Sequence, residues 1–430
     1  MTDKPDKNSP LSMYFDSNIL FLKLTGFWVY DNPNETKVSK KYLQHSYNIF
    51  WFCYLFIAYL PAEIRYLYYC FDNLNEFLRA LRDIGNHVSL GYKAVNFFRM
   101  RKELLSVIDV LQNGDYNYEV CEKFNPLEII EREKKQALKW TKYFLNFCNA
   151  ICLSMFLNGL FTFIFMSESQ YHIENDVKVY KQQQPVNTVS PFGSGTKWQF
   201  FVTFIYTMIA LTFYAWMIVA LDSLFITLMS CISAHLKILQ GAFKTLRLRC
   251  MKRTKIDIEL QDFILHDPPE LQAEVNTEMV KCIKHLQTVL KVSEKMEYIY
   301  STQTFIQTFI SLGEMCFSLY LLSETIDQNI GNEITYLIAT GFELLMYCWF
   351  GNRITEGSIR LKYSLYDSDW FATHLSFRKQ IIFTMTRMQK PIYVTIGKVT
   401  PLTFNTFLTI ARGAYSFFTF LKQRHGINYK

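Results

Sequence analysis

Long apolar windows separated by polar ones set the frame of this chain of 430 residues. Residues 46–61, 143–166, 200–228, 298–322 and 334–350 are each apolar over about the length that crosses a bilayer. A further window, 400–423, is apolar overall but carries a polar stripe. Asn405, Thr409, Arg412, Ser416, Thr419 and Gln423 recur at alternating spacings of four and three. That period puts all six on one face of an α-helix. Hydrocarbon satisfies neither hydroxyl nor guanidinium, so such a face needs polar groups on neighbouring helices or an aqueous pore beside it.

A seventh window, 74–98, reads poorly by hydropathy because it contains Arg79, Arg82, Asp83, His87 and Lys93. Residues 1–42 are polar and mixed in charge, apart from an apolar patch at 19–30 broken by Lys23. That patch predicts a packed or interfacial helix rather than a span. Residues 182–196 hold Gln183, Gln184, Pro185, Pro191, Gly193 and Gly195 without helical period, and read as a turn-rich cover. Helical periodicity runs on beyond the apolar windows through 237–248 and 274–294, with Asp267-Pro268-Pro269 marking the break between them. It continues again to Met388, where Pro391 soon interrupts it.

Composition narrows the class. Half of the residues are hydrophobic, 17% are aromatic and 19% are charged, against about a quarter charged in soluble domains. One polytopic membrane domain fits this better than a string of soluble modules. The net charge of +7 does not indicate nucleic acid, because the basic residues lie between apolar windows without aromatic interleaving. Ten Lys and Arg fall in 93–142, ten in 237–291 and seven in 353–390. Segment 167–198 has only Lys178, Lys181 and Lys197, offset by Glu168, Glu174 and Asp176, and 324–333 has no basic residue. The basic segments are therefore expected on the cytoplasmic side. The C-terminus then falls outside, and the N-terminus inside if the seventh window spans. A G-protein-coupled receptor has the reverse arrangement. The N-terminus shows no cleavable signal pattern, so the first span is expected to direct insertion.

Enzymatic and metal chemistry is not indicated. The sequence has no HExxH, GxSxG, GxGxxG, Walker or DFG pattern, the Gly-Ser-Gly-Thr-Lys run has the wrong spacing for a P-loop, and the eight histidines are isolated. The ten cysteines include no CxxC pair, and most lie in apolar windows; Cys148 and Cys152 share a helical face as packing residues. Asp222, Glu314 and Glu343 stand inside spans, too few and too unmatched for a proton relay, and are expected to be satisfied by neighbouring helices. The cluster Lys244, Arg247, Arg249, Lys252, Arg253 and Lys255 reads as an ordinary basic loop rather than a calmodulin or acidic-lipid site. No repeat relates the two halves, which weighs against a transporter.

Several local motifs then agree in order and spacing. The run Tyr347-Cys348-Trp349-Phe350-Gly351-Asn352 is followed by Glu356, Ser358 and Trp370. Gly397-Lys398 and Pro401-Leu402 lead to Tyr415-Ser416-Phe417-Phe418-Thr419. Fainter matches are Leu24-Thr25-Gly26-Phe27-Trp28, Lys93, and Cys231 with His235. On these residues the chain resembles the insect odorant receptors over nearly its whole length. The related gustatory receptors often close on Gln-Phe, whereas Gln423 here precedes Arg424.

The resemblance implies an all-α integral membrane protein with seven transmembrane helices, a cytoplasmic N-terminus, an extracellular C-terminus and extended cytoplasmic helices forming an anchor layer. Its parts would be a cytoplasmic segment 1–42, spans 1–4 in 43–235, a cytoplasmic helical loop 236–297, spans 5–6 in 298–352, anchor helices 353–399, a pore-lining span 7 in 400–423 and a tail 424–430. It implies an odorant-tuned subunit of a ligand-gated, non-selective cation channel, assembled with a co-receptor as a heterotetramer in the plasma membrane of olfactory sensory neurons. No cofactor or nucleic acid is implied. The ligand would be a small volatile in an apolar cavity in the outer half of spans 2–6. Helical position suggests Ile84, His87, Val88, Phe156, Phe204, Met208, Phe309 and Phe342 for its walls. The pore would be lined by the polar stripe, with Phe420 where the family's apolar gate lies and Arg424 one turn beyond. Arg412 departs from this scheme, since four copies in one cation pathway would repel severely. A gustatory-type channel, a metabotropic seven-span receptor and a transporter are the alternatives.

The one N-glycosylation sequon, Asn34-Glu35-Thr36, lies in the segment expected to face the cytosol. It should stay unmodified in cells. A glycosidase-sensitive mobility shift abolished by Asn34→Gln would reverse the orientation.

Overall fold

Helical period becomes helix in the computed structural model, which describes residues 14–27, 38–114, 117–165, 171–174, 177–180, 188–189, 191–192, 196–255, 268–324, 330–370 and 373–427. In chain order the helices are α1 (Asp16–Leu24), α2 (Val38–Phe52), a π-helical stretch (Cys53–Tyr59), α3 (Leu60–Tyr69), α4 (Leu74–Arg99), α5 (Arg101–Asn113) and α6 (Pro126–Phe165). There follow α7 (Lys197–Lys244), α8 (Leu246–Thr254), α9 (Pro269–Glu324), α10 (Ile330–Tyr366), α11 (Leu375–Arg387) and α12 (Phe404–Ile427). Among the described residues, five helical stretches are long and apolar enough to cross a membrane: Tyr42–Tyr69, Pro126–Phe161, Lys197–Lys244, Pro269–Glu324 and Ile330–Tyr366. The 26 residues of α4 and the 24 of α12 have the length but carry more polar side chains.

Three expectations need correction. The fold is not purely helical: β1 (Tyr171–Glu174) pairs antiparallel with β2 (Val177–Tyr180), and β3 (Thr395–Ile396) with β4 (Thr400–Pro401). Alternation in Tyr-His-Ile-Glu and Val-Lys-Val-Tyr is the β signal that the search for helical period passed over. The first apolar window does not stop at Pro61. The chain widens into the π-helical stretch just before the proline, which has no amide hydrogen to donate, and the helix runs on to Tyr69. The basic cluster at 244–255 is not wholly solvated either. Arg249 is buried, with Nη1 donating to Glu278 at 3.0 Å and Nη2 to the Ala242 carbonyl at 2.9 Å. Arg253 pairs with Glu119, Glu274 and Glu278. Most of the turn-rich cover at 182–196 and the whole Asn34-Glu35-Thr36 sequon lie outside the described residues.

The bundle is built round α7. Every residue from Val219 to Leu236 is buried, as befits a helix with no polar face. It packs against α6, α10, α9, α4 and α1. Consecutive long helices run antiparallel: Arg82, early on α4, meets Glu333 at the start of α10 and Ser318 near the end of α9. The apolar patch near the N-terminus packs as α1 against α7, with Phe15, Leu22 and Phe27 buried. Tyr14 Oη lies 3.1 Å from Ser230 Oγ, and Asn18 Nδ2 donates to Ser223 Oγ at 3.2 Å. Gly351 sets how closely α10 meets the start of α12. A Cβ there would stand 2.7 Å from the Leu402 carbonyl oxygen, so no larger residue fits without moving the last helix.

At the basic end, α7 and α9 run past the apolar windows and join α5, α8 and α11. Glu133 on α6 is buried and accepts from Lys237 at 2.6 Å and from Arg353. Nearby, Tyr118 Oη lies 3.0 Å from His285 Nδ1, His285 Nε2 lies 3.1 Å from His235 Nδ1, and His235 Nε2 lies 3.2 Å from the Leu111 carbonyl. The chain is satisfied when both rings are neutral: Tyr118 donates to His285, His285 to His235, and His235 to the carbonyl. Burial, then the neighbouring His235 and Lys281, hold the His285 pKa well below its usual 6.5. The sign follows. A group whose folded pKa is depressed in this way keeps its full stabilising contribution above 6.5 and loses it as pH falls below that value. Thermal stability of the purified protein should decline on acidification below that point, and His285→Gln should flatten the decline; an unchanged slope would remove His285 as its source.

Candidate functional site

The helix that hydropathy served worst, α4, carries the polar side chains that organise the membrane domain. Asn73 caps it, accepting from the Glu76 amide at 3.4 Å. Its polar residues recur at three- and four-residue steps, so they share the face that turns inward. Arg79, Arg82, His87, Ser89, Lys93 and Asn96 each find a partner on another helix. Arg79 and Arg82 both reach Glu333 on α10, and the Arg82 guanidinium lies 3.8 Å from the Tyr336 ring centroid. His87 Nδ1 lies 2.6 Å from Glu63 Oε2 on α3. Ser89 donates to Gln307 on α9 at 2.5 Å, and Asn96 Nδ2 donates to the Ile299 carbonyl at 3.0 Å.

The centre of this network is Lys93. Its ammonium donates to Asp222 on α7 at 2.8 and 3.0 Å and to Glu343 on α10 at 2.9 Å. Tyr347 Oη donates to Asp222 at 2.6 Å. Lys93 and Asp222 are fully buried, so three helices are tied at one point where solvent cannot screen the charges. The carboxylates that looked unmatched in the sequence thus have a cation between them, supplied by the very window whose charge obscured it. Glu314 is held differently, by Thr340 Oγ1 donating at 3.0 Å.

Beside the network lies a cavity of about 130 Å³ between α4, α6, α7 and α10. Phe144, Leu211, Tyr214, Ala215, Ile218 and Ala339 give it apolar and aromatic walls; Asp83, Asn86, His87, Tyr336, Thr340 and Glu343 supply polar ones. The His87 ring stacks on Tyr214, with centroids 3.8 Å apart. Glu343 therefore faces the cavity and holds Lys93 at once. A second, open groove of about 560 Å³ lies between α2, α6 and α7, lined by Trp51, Asn149, Phe156, Met208, Phe213 and Trp216 among others.

The residues suggested for ligand walls divide between these features. His87 lines the enclosed cavity. Ile84 is buried one turn earlier on α4, and Phe342 packs behind the cavity wall against Trp140, Phe144 and Phe147. Phe156 and Met208 line the open groove. Phe204 is buried beside them, its ring filling the space over Gly159. Val88 and Phe309 are exposed on the outside of the single chain. Helical position thus brought one of the eight to the enclosed cavity. The signal it passed over was polarity: Asp83, Tyr336, Thr340 and Glu343 interrupt apolar windows and gather here, while the large aromatics chosen instead are mostly packing.

On α12 the polar stripe faces away from the chain's own helices. Asn405, Thr409, Arg412, Ser416, Thr419 and Gln423 are all exposed. Thr409, Ser416 and Thr419 hydroxyls donate to carbonyls of their own helix at 2.8, 3.0 and 2.8 Å. Among the described residues no carboxylate pairs with Arg412. The opposite face, with Phe407, Ile410, Ala414, Phe418 and Leu421, packs inward against α9 and α10. Phe420 is exposed next to the stripe. Arg424 continues the helix, and its side chain lies outside the described residues.

A polar helix held inward by ion pairs, an enclosed aromatic cavity and a last helix with one wet face describe a membrane receptor rather than an enzyme. A profile of the 7tm Odorant receptor family matches residues 73–415, from the start of α4 into α12. The chain belongs to that family, the odorant receptors of insects. Putative odorant receptor 59c of Drosophila melanogaster is 22% identical over 382 residues, spanning 86% of this chain and 82% of that one. Odorant receptor 2a of the same fly is 28% identical over 152 residues, 34% of this chain and 38% of the other. The olfactory receptor OR5 of Machilis hrabei, solved in complex with eugenol, superimposes with a TM-score of 0.72 at 18% identity, covering 97% of this chain and 100% of that one. A second structure of OR5 gives a TM-score of 0.69 at 17% identity, covering 97% of this chain and 99% of that one.

Removing the central cation should be more damaging than removing all three charges. Lys93→Met leaves two buried carboxylates unmatched, which costs about 3–5 kcal/mol, and surface-labelled protein should fall steeply. The triple variant Lys93→Met, Asp222→Asn, Glu343→Gln should recover part of it. Equal losses in both would mean that Lys93 contributes bulk rather than charge.

Proposed function

We propose that this chain is the odorant-tuned subunit of a ligand-gated cation channel, crossing the membrane seven times with its N-terminus cytoplasmic and its tail outside. The observation that supports it most strongly is the stripe on α12. Six polar side chains share one exposed face of a largely apolar helix, turned away from the other described helices of the chain. A wet face in a membrane must meet water or another subunit. A pore at the axis of an oligomer provides both. The distribution of basic segments supports the orientation.

The ligand occupies the cavity between α4, α6, α7 and α10. It is small, enclosed and lined by aromatic rings and a few oriented polar groups, which is the make-up of a site for a small organic molecule. Binding shifts gating only if the ligand prefers the open arrangement. The route between them is short. Glu343 and Tyr347 lie on α10, and Trp349 of the same helix meets Phe404 at the base of α12, with ring centroids 5.3 Å apart. Arg412 fits a pore shared with a different subunit better than one formed by four identical helices, so the assembly is a heterotetramer with a co-receptor. OR5 of Machilis hrabei, solved in complex with eugenol, has a similar fold, which supports a small-molecule ligand for this chain.

Expression with a co-receptor should give volatile-evoked inward cation currents. Ala339→Phe, which fills the cavity, should abolish them without loss of surface protein. Phe420→Ala should leak or shift activation. Normal responses in Ala339→Phe would move the ligand elsewhere. Positions 405–423 sealed from thiol labelling, both at rest and when stimulated, would end the pore reading.

A further inference from the structure

The cavity wall is one-sided in its hydrogen bonding. Nearly every donor on it is already committed within the protein. Tyr214 Oη donates to the Leu55 carbonyl at 2.8 Å, and Thr340 Oγ1 to Glu314 at 3.0 Å. The Tyr336 hydroxyl bonds Asp83, and His87 Nδ1 is engaged by Glu63. Behind the wall, Arg82 is held by Glu333 and Lys93 by two carboxylates. With His87 Nδ1 donating to Glu63, its Nε2 is left as an acceptor, and the Asn86 amide accepts as readily as it donates.

Acceptors, by contrast, are in surplus. Six carboxylates surround the cavity within the bundle: Glu63, Asp83, Asp222, Glu314, Glu333 and Glu343. Three fixed cations, Arg79, Arg82 and Lys93, face them, so three are set against six. Two oxygens among them, Glu63 Oε1 and Glu314 Oε1, are buried without a hydrogen-bond partner. Asp83 is the least matched of the two carboxylates that reach the cavity. The guanidinium of Arg82 approaches it only to 3.5 Å, while its Nη1 is fixed on Glu333. Glu343 carries Lys93 on one oxygen.

We infer that the cavity selects volatiles carrying a hydrogen-bond donor, a hydroxyl or an amine on a short apolar body, with Asp83 as the group that receives it. The inference rests on the reading that this cavity is the ligand site. An ester, ketone or ether of the same size brings another acceptor to a wall that lacks free donors, and its oxygen would be buried unpaired. A hydroxyl or ammonium reaches Asp83 through a charge-assisted hydrogen bond, with Phe144 and Tyr214 enclosing the rest.

The test compares 1-hexanol and hexylamine with methyl pentyl ether, which has the same number of heavy atoms, in cells expressing the chain with a co-receptor. The donors should activate at concentrations at least about tenfold lower than the ether, a difference of roughly 1.4 kcal/mol. Asp83→Asn, checked for surface expression, should bring alcohol and ether together, because the new amide donates as well as accepts; Asp83→Glu should keep the preference. A larger loss for hexylamine than for hexanol in Asp83→Asn would mark ammonium as the bound form, and equal losses a neutral donor; both support the rule. An ether as potent as the alcohol, or an Asp83→Asn shift common to both, overturns it. Ala339→Phe separates the two levels: full responses there refute the cavity as the site, whereas abolished responses with no donor preference in the native chain refute only the ligand class.

Discussion

Charge placed where solvent cannot reach it must be paired on the spot, and this constraint organises the bundle. Lys93 on α4 sits between Asp222 on α7 and Glu343 on α10. A lysine buried alone would be excluded from such a core, and so would either carboxylate. Together they fix the rotation of three helices about their own axes, since a turn of any of them would pull a charge away from its partner. Apolar packing cannot do this so sharply, because leucine against leucine is much the same after a small rotation. Around this point α7, without a polar face of its own over the buried stretch, supplies the mass of the core, and the ion cluster supplies its register.

The same pairing explains what was legible in the sequence. Windows apolar along most of their length, such as 200–228 and 298–322, announced themselves by hydropathy, and α7 and α9 followed with their extensions beyond the apolar part. Residues 74–98 did not. Arg82, His87 and Lys93 count as penalties when a window is scored by itself, although each is neutralised by a residue more than twenty positions away: Glu333, Glu63 and Asp222. A one-dimensional score has no access to that partner. The carboxylates of the other windows had been noticed and so had the cations of this one; what the sequence withheld was that they belong together. The stripe on α12 was readable for the opposite reason, because its meaning lies in spacing along one helix.

The cavity between α4, α6, α7 and α10 was the least legible part. Choosing large aromatics by helical position finds core as readily as site, since Phe204 and Phe342 are held by neighbours and Val88 and Phe309 face outward. The better indicator is a polar residue inside an apolar window that is more than a structural pair requires. Asp83 and Glu343 meet that description; Asp222 does not, being held by both Lys93 and Tyr347. Hairpin β3–β4 was missed because two-residue strands have no period to detect, although Gly397 with φ +58° marks the turn it makes.

Site and scaffold are therefore not separable here. Glu343 is at once wall of the cavity and partner of Lys93, so the wall and the cluster that holds α4, α7 and α10 together share a side chain. Any rearrangement must keep every buried charge matched, and that restricts the bundle to a small number of discrete arrangements rather than a continuum. α10 meets the start of α12 through close contacts: Gly351 against the Leu402 backbone, where a Cβ would already clash, and Trp349 edge-on to Phe404. So close a junction leaves little room for α10 and α12 to move independently, and the face of α12 that it leaves exposed includes the polar stripe.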